Sequence, residues 1–338
     1  MQLSFVIPAY NASTTIVRCL NSVYSLPLNE CDFEIICIDD CSTDNTIAVI
    51  EEYAKLHSNI TLLCQTENHR QGAARNRGVA LAKGKYVIFV DSDDESDKEV
   101  VEALRLAEEH KLDMVAMHYV HIDQQGCISA KEPIEIEGVF TGVELQTKQP
   151  YWCSAPWGYV YNLNFLKESN YPFAEDVLYE DSDFVAVHLY YAKRMMYSSE
   201  CGYKAYFNST STTHTISYKH IADYLLLGTR MLKFYDTLLE PSSNFAKIIL
   251  EGGSYNIVKS CNRLIKLSSL QDVKNFYERI DLHENRTKIY EFRSKIYYWN
   301  RWMYLVIKHK HLTILLAFLG MVAYKFRNFV KNICTSHS

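Results

Sequence analysis

The chain has 338 residues, 48% of them apolar and 22% charged, with a formal net charge of −5. That balance suits about two folded domains and excludes a disordered or fibrous chain. The total hides an asymmetry, because Phe292 to Ser338 holds eight Lys or Arg and no Asp or Glu. A basic end on an acidic body points to an anionic surface as partner. Its basic and aromatic residues match no nucleic-acid-binding module, so nucleic acid is not expected. Ten cysteines are scattered without a C-x-x-C pair and no apolar leader precedes Leu3, which reads as a reduced, cytoplasmic setting.

In chain order, Leu3 to Pro8 predicts a strand and about Thr14 to Tyr24 a helix. Phe33 to Ile38 predicts a second strand, ending in Asp39-Asp40-Cys41-Ser42-Thr43-Asp44. A helix from about Thr46 to His57 follows, with Asp44 or Asn45 placed to cap it. Ile60 to Cys64 predicts a third strand and Gly72 to Ala82 a helix of small residues. Tyr86 to Val90 is apolar without alternation, as in a central parallel strand covered on both faces. Strand and helix thus alternate four times, which predicts an α/β fold with a doubly wound, mostly parallel sheet and helices on both faces. No glycine-rich dinucleotide or P-loop motif follows any strand.

The fourth strand breaks into Asp91-Ser92-Asp93-Asp94. Ligands of open α/β sheets bind beyond the carboxyl ends of the strands, so Asp91 and Asp93 stand at the expected crevice. Two carboxylates at i and i+2 can hold one hard cation, or the run can cap the helix that begins near Ser96. Lys98 to His110 predicts a helix and Asp113 to Ile122 a strand. Tyr179-Glu180-Asp181-Ser182-Asp183 opens a helix running to about Ala192, and beyond Ile221 nearly everything reads helical. Leu312 to Tyr324 is apolar between cationic flanks, yet a bilayer takes about twenty residues to cross. It suits a helix lying on anionic lipid, with Trp299, Trp302, Tyr304 and Phe326 at headgroup depth, or a terminal helix packed on the preceding domain.

Ser4-Phe5-Val6-Ile7-Pro8-Ala9-Tyr10-Asn11, Ile38 to Asp44, Gly72-Ala73-Ala74-Arg75-Asn76-Arg77-Gly78, Phe89 to Asp94 and Tyr179-Glu180-Asp181 occur in this order. Together they resemble the bacterial family 2 glycosyltransferases, which have the GT-A fold. The resemblance covers about residues 1 to 215. It implies a catalytic domain at 1–215, divided into a nucleotide-sugar-binding half at 1–123 and an acceptor-side half at 124–215. A helical region at 216–338 follows, with a basic, membrane-associating end. The implied activity is inverting transfer of a sugar from a nucleotide-diphosphate donor, most simply a UDP-sugar, to a saccharide or polyprenyl-linked glycan. The setting would be cell-surface polysaccharide synthesis, in the cytoplasm or on the inner face of the cytoplasmic membrane.

The resemblance also implies roles for residues. Pro8 and Tyr10 would shape the base and ribose pocket, and Asp40 would accept a hydrogen bond from the base. A carboxylate facing an N–H suits uracil or guanine better than cytosine. Arg75 would support the diphosphate or the neighbouring acids. Asp91, Ser92 and Asp93 would bind the diphosphate, with Asp93 the direct ligand of Mn²⁺ or Mg²⁺ and Asp91 partly turned to the ribose. Asp181 would be the general base, Glu180 would orient it or raise its pKa, and Asp176 is a spare. His214 could reach the metal or diphosphate from a closing loop. Trp157, with Trp152, Tyr159 and Tyr161, could stack on the acceptor or fill core. Phe207 stands where many relatives carry an arginine, which removes a phosphate contact. Two rival readings are a sugar nucleotidyltransferase, which would want a glycine-rich basic loop where Ala9-Tyr10-Asn11-Ala12 stands, and a catalytically silent membrane-bound scaffold. Intact Asp40, Asp91, Asp93 and Asp181 argue against the second.

Overall fold

Leu3–Ala9 (β1) and Phe33–Asp39 (β2) are buried at every residue, as strands covered by helices on both faces must be. By contrast Ile60–Cys64 (β3) is partly exposed along its length, the mark of an edge strand. In this computed structural model, residues 1–130, 136–148, 153–208, 217–238, 243–264 and 270–283 are described. The expectations for Trp152, His214 and the basic end from residue 292 lie outside them. The chain divides into two units, Met1–Ser211 and Thr212–Ser338.

In the first unit β1 is followed by α1 (Ile16–Tyr24), β2 by α2 (Thr46–Ala54), and β3 by α3 (Arg70–Leu81), which leads into β4 (Tyr86–Phe89). The helix α1 buries Ile16, Cys19, Leu20 and Val23, an i, i+3, i+4, i+7 stripe that seats it on the core. The small residues of α3 have a packing reason. A Cβ on Gly78 would lie 2.2 Å from Val6 Cγ1, so the helix reaches β1 only because Gly78 has none. After β4 come β5 (Glu95–Ser96), α4 (Val100–His110), β6 (Met114–Ile122), β7 (Ile128–Ser129), α5 (Gly142–Lys148) and a 3₁₀ turn at Pro156–Gly158. Then follow β8 (Tyr159–Asn162), α6 (Leu163–Ser169), α7 (Asp181–Tyr191) and β9 (Met195–Tyr206).

Among the described residues nine strands form one sheet, ordered β3-β2-β1-β4-β8-β6-β9-β5, with β7 on β6. The strand expected to be central and parallel is in fact a seam. On one side β4 pairs parallel with β1, from Leu3↔Tyr86 to Val6↔Phe89. On the other it pairs antiparallel with β8, from Tyr86↔Asn162 to Ile88↔Val160. An apolar run reports buried faces, whereas strand direction is written in backbone hydrogen bonds that side chains do not reveal.

The described residues of the second unit form α8 (Tyr218–Tyr235), α9 (Asn244–Leu264) and α10 (Leu270–His283). Fully buried Asp223 of α8 is held by Arg279 Nε of α10 at 2.6 Å. Among the described residues no helix is long and apolar enough to cross a membrane.

The loops after β1 and β2 are sewn together by short polar side chains. Asn11 N–H donates to Ser42 Oγ at 2.9 Å, and Thr43 N–H donates to Asn11 Oδ1 at 2.8 Å. Asn45 is the N-cap of α2 but makes no side-chain cap bond; Asp44, one residue earlier, accepts from the first helical N–H, Thr46, at 3.0 Å and from Ser13 N–H at 3.1 Å. Desolvation pulls its pKa up, but the hydrogen bonds from Thr46 and Ser13 prevail and hold the carboxyl at about 2. Asp44→Ala should therefore cost about 1 kcal/mol in urea unfolding at pH 7. Because the native pKa lies below the ordinary value, this stabilisation is present above about pH 4 and fades as the pH falls toward 2. The gap between wild type and variant should close over that window.

Candidate active site

Because β1 lies between β2 and β4, the carboxyl ends of all three open on one edge. Strands sit about 4.8 Å apart, so Asp40 after β2 and Asp91 after β4 stand about 10 Å apart across β1. Asp40 donates its N–H to Ala9 O at 2.8 Å, which sets it beside Pro8 and Tyr10. Pro8 is buried, while Tyr10 is 48% exposed. One oxygen of Asp40, Oδ1, accepts from Gln65 Nε2 at 2.6 Å and from His69 N–H at 2.8 Å. Burial raises its pKa against the backbone N–H groups of His69 and Arg70. Asp39 turns back into its own loop, accepting from Ser42 N–H at 2.9 Å.

The turn Asp91-Ser92-Asp93-Asp94 is closed by Asp94 N–H donating to Asp91 O at 3.0 Å. Half-buried Asp93 accepts from Asn208 Nδ2 at 2.8 Å, and its carbonyl accepts from Arg18 Nη2. Ser92 is half-buried between the two acids. Burial and then the charge of Asp91 raise the pKa of Asp93. Asp94 is pushed up to about 8 by burial, followed by the charges of Asp91 and Asp93. Negative charge is therefore in excess here, and two carboxylates at i and i+2 fit a hard divalent cation whose remaining positions fall to phosphate oxygens and water.

Arg75 joins this turn to α7. It is 2% exposed, with Nη2 on Asp91 Oδ1 at 2.8 Å and Nη1 on Glu180 Oε1 at 2.5 Å. Burial opposes its charge, but the carboxylates of Asp91 and Glu180 outweigh that and keep it protonated. The next residue, Asn76, pins the loop before α7 on both sides of its amide. It donates to Phe173 O at 3.0 Å and accepts from Phe173 N–H at 2.9 Å. Gly72 allows the approach, since a Cβ there would lie 2.1 Å from Ala174 O. Asp181 opens α7 with partial exposure. Its pKa is raised to about 7 by burial, then by Glu180 and Asp91, against the pull of Arg75. Glu180 itself is raised by burial despite the pairing with Arg75.

The structure thus brings Pro8, Tyr10, Asp40, Arg75, Asp91, Asp93, Glu180 and Asp181 to one edge. It does not bring Asp176 in as a free carboxylate, because Asp176 holds His69 Nδ1 at 2.9 Å. Trp157 is 8% exposed, with one face on Tyr203 at 4.3 Å, so that face offers nothing to a sugar. Motif reading passed over Gln65, His69, Asn208, Tyr203 and the anchoring role of Asp94. Only Asp94 left a signal, as the third acid of its run.

Residues 4–135 match the family model described as Glycosyl transferase family 2. A poly(ribitol-phosphate) beta-glucosyltransferase of Bacillus spizizenii is 42% identical over 95 residues, 28% of this chain and 15% of that protein. The uncharacterized glycosyltransferase YibD of Escherichia coli K12 is 30% identical over 220 residues, 63% of this chain and 63% of that protein. The chain therefore spans less than two thirds of the length of these relatives. The crystal structure of S. aureus TarS 1–349 in complex with UDP-GlcNAc superposes with a TM-score of 0.63 at 22% identity, covering 87% of this chain and 88% of that one. That likeness identifies the fold as GT-A.

Removing one partner from a buried ion pair typically costs about 3–5 kcal/mol, because the other charge is left uncompensated. Arg75→Met should lose stability of that order at pH 7 in urea unfolding. The loss should shrink as the pH falls and Glu180, whose pKa burial raises, takes up a proton.

Proposed function

Residues 4–135 are a glycosyl transferase family 2 domain, and from that premise we propose that the chain is an inverting, metal-assisted glycosyltransferase. It moves a sugar from a nucleotide-diphosphate donor, most simply a UDP-sugar, to a saccharide or lipid-linked acceptor. The observation that carries this reading is the buried Arg75, which holds the acid turn and the start of α7 in one network.

The work divides by position. Asp40 has one oxygen held by Gln65 and His69, and its other oxygen accepts an N–H of the base. Such an acceptor fits uracil or guanine, and the UDP-GlcNAc bound to TarS favours uracil. Pro8 and the exposed ring of Tyr10 line the base and ribose. Asp93, with Asp91 beside it, would hold Mn²⁺ or Mg²⁺, which neutralises the diphosphate as it leaves. Arg75 is committed to Asp91 and Glu180, so its part is to position acids rather than to touch phosphate. Asp181 takes the proton from the acceptor hydroxyl as that oxygen attacks the anomeric carbon opposite the leaving diphosphate. A carboxylate near pKa 7 removes that proton better than an ordinary one, because its basicity is matched to neutral pH. The same reading places the basic end from residue 292 on anionic lipid, a role that rests on sequence charge alone.

Asp181→Asn should lower kcat by at least about 10²-fold with donor binding intact, measured by release of free nucleotide. Unchanged transfer would remove Asp181 as base. In wild type, kcat/KM should fall about tenfold per pH unit below about 7 and level off above it, because the base must be ionised to act. The linkage runs the opposite way for stability. A carboxylate whose native pKa is raised favours the fold only while protonated, and that advantage disappears as the pH rises toward 7. Asp181→Asn should therefore melt higher than wild type at pH 8. A chelator should abolish transfer and Mn²⁺ restore it; full activity with the chelator would contradict the metal role.

A further inference from the structure

The acid turn is held from below by a residue that no motif contains. Tyr203, in β9, is fully buried, and its hydroxyl donates to Asp94 Oδ2 at 2.8 Å. The same oxygen accepts the backbone N–H of Asp91 at 3.1 Å. One phenol thus touches the first residue of the turn through its backbone and the last through its side chain. Three residues further along β9, Tyr206 N–H donates to the other oxygen of Asp94 at 2.7 Å. The tyrosine is itself immobilised, because the indole of Trp157 stacks on its ring with 4.3 Å between centroids and 4° between planes. Neither Tyr203 nor Asp94 points its polar atoms to solvent, so the contacts are not incidental to a surface.

The geometry matters because cation sites tolerate little error. Ligands held to about 0.5 Å by their supporting groups bind well, and sites left looser do not. In a four-residue turn, the carboxylates of Asp91 and Asp93 keep their relative direction only if the turn's backbone cannot rotate. We propose that Tyr203 is the positioning residue of the metal-binding turn. Through Asp91 N–H and Asp94 it presets the two carboxylates for a divalent cation on the donor diphosphate, with Trp157 as its support. This rests on the metal and donor assignment above and extends it to residues that touch neither.

Tyr203→Phe removes the hydroxyl and keeps the ring on Trp157. Calorimetry with Mn²⁺ alone, with Mn²⁺ in saturating UDP, and with UDP in a chelator separates the possibilities, alongside thermal melting. Wild type must first bind Mn²⁺ with UDP; failure in that arm sinks the metal reading itself and this proposal with it. Given wild-type binding, Tyr203→Phe should weaken Mn²⁺ affinity about tenfold, as for other partners of metal ligands, and leave chelated UDP binding unchanged. Unaltered Mn²⁺ affinity in folded Tyr203→Phe would overturn the proposal. So would an equal loss of metal-free UDP binding, which would mark a merely structural residue. Should Tyr203→Phe not fold, Trp157→Phe keeps the hydroxyl and loosens its support. It should weaken Mn²⁺ affinity by a smaller factor, and unchanged affinity there would likewise overturn the proposal.

Discussion

One buried guanidinium organises the carboxylate edge of this protein. Arg75 sits between Asp91 and Glu180 with 2% of its surface exposed. Burying any one of these charges alone would be costly, and the three become tolerable only together. That requirement makes the placement of α3, the end of β4 and the start of α7 interdependent. Segments about a hundred residues apart in sequence thereby meet within hydrogen-bond reach. Asn76 and Gly72 reinforce the junction from the same helix, one by gripping Phe173 and the other by leaving room for Ala174.

The sheet divides the labour around that junction. Its parallel half, β3-β2-β1-β4, brings the loops that carry Asp40 and Asp91 to one edge, the edge where doubly wound sheets bind ligands. Its other half is entered through the antiparallel pairing of β4 with β8. It supplies backing, with Trp157 before β8 and Tyr203 on β9 carrying the acid turn. Non-glycine residues with positive φ gather at this edge. Asn11, Cys41, Arg70, Asp176 and Tyr179 are five of the seven among the described residues. Backbone held in such conformations persists where surrounding contacts over-determine it, which is common around binding and catalytic centres.

Charge balance completes the picture. Arg75 is the fully committed cation, whereas Asp91, Asp93, Asp94, Glu180 and Asp181 are all acids, and burial and mutual repulsion hold Asp94 and Asp181 near neutral pH. In the proposed reading this excess has two uses. The turn attracts a divalent cation together with an anionic diphosphate, and Asp181 becomes a base of suitable strength. Protonation alone could relieve the excess, but a cation relieves it while leaving the carboxylates ionised.

What the sequence determined by itself was the local chemistry at strand ends. Alternating apolar runs and helical stripes located β1, α1, β2, α2, β3, α3 and β4 closely, because burial periodicity and capping act within a few residues. The positions of Asp40, Asp91 and Asp93 were legible for the same reason, each standing just past an apolar run, whereas Asp181 was singled out only by the resemblance of Tyr179-Glu180-Asp181 to a family motif. The tertiary structure alone decided that β4 is a seam, that Arg75 pairs with Asp91 and Glu180, that Trp157 stacks on Tyr203, and that the Tyr203 hydroxyl bonds the turn at Asp91 and Asp94. Those outcomes depend on strand direction and on partners distant in the chain. Both are settled by backbone hydrogen bonds and three-dimensional packing, which leave no periodic trace in the order of residues.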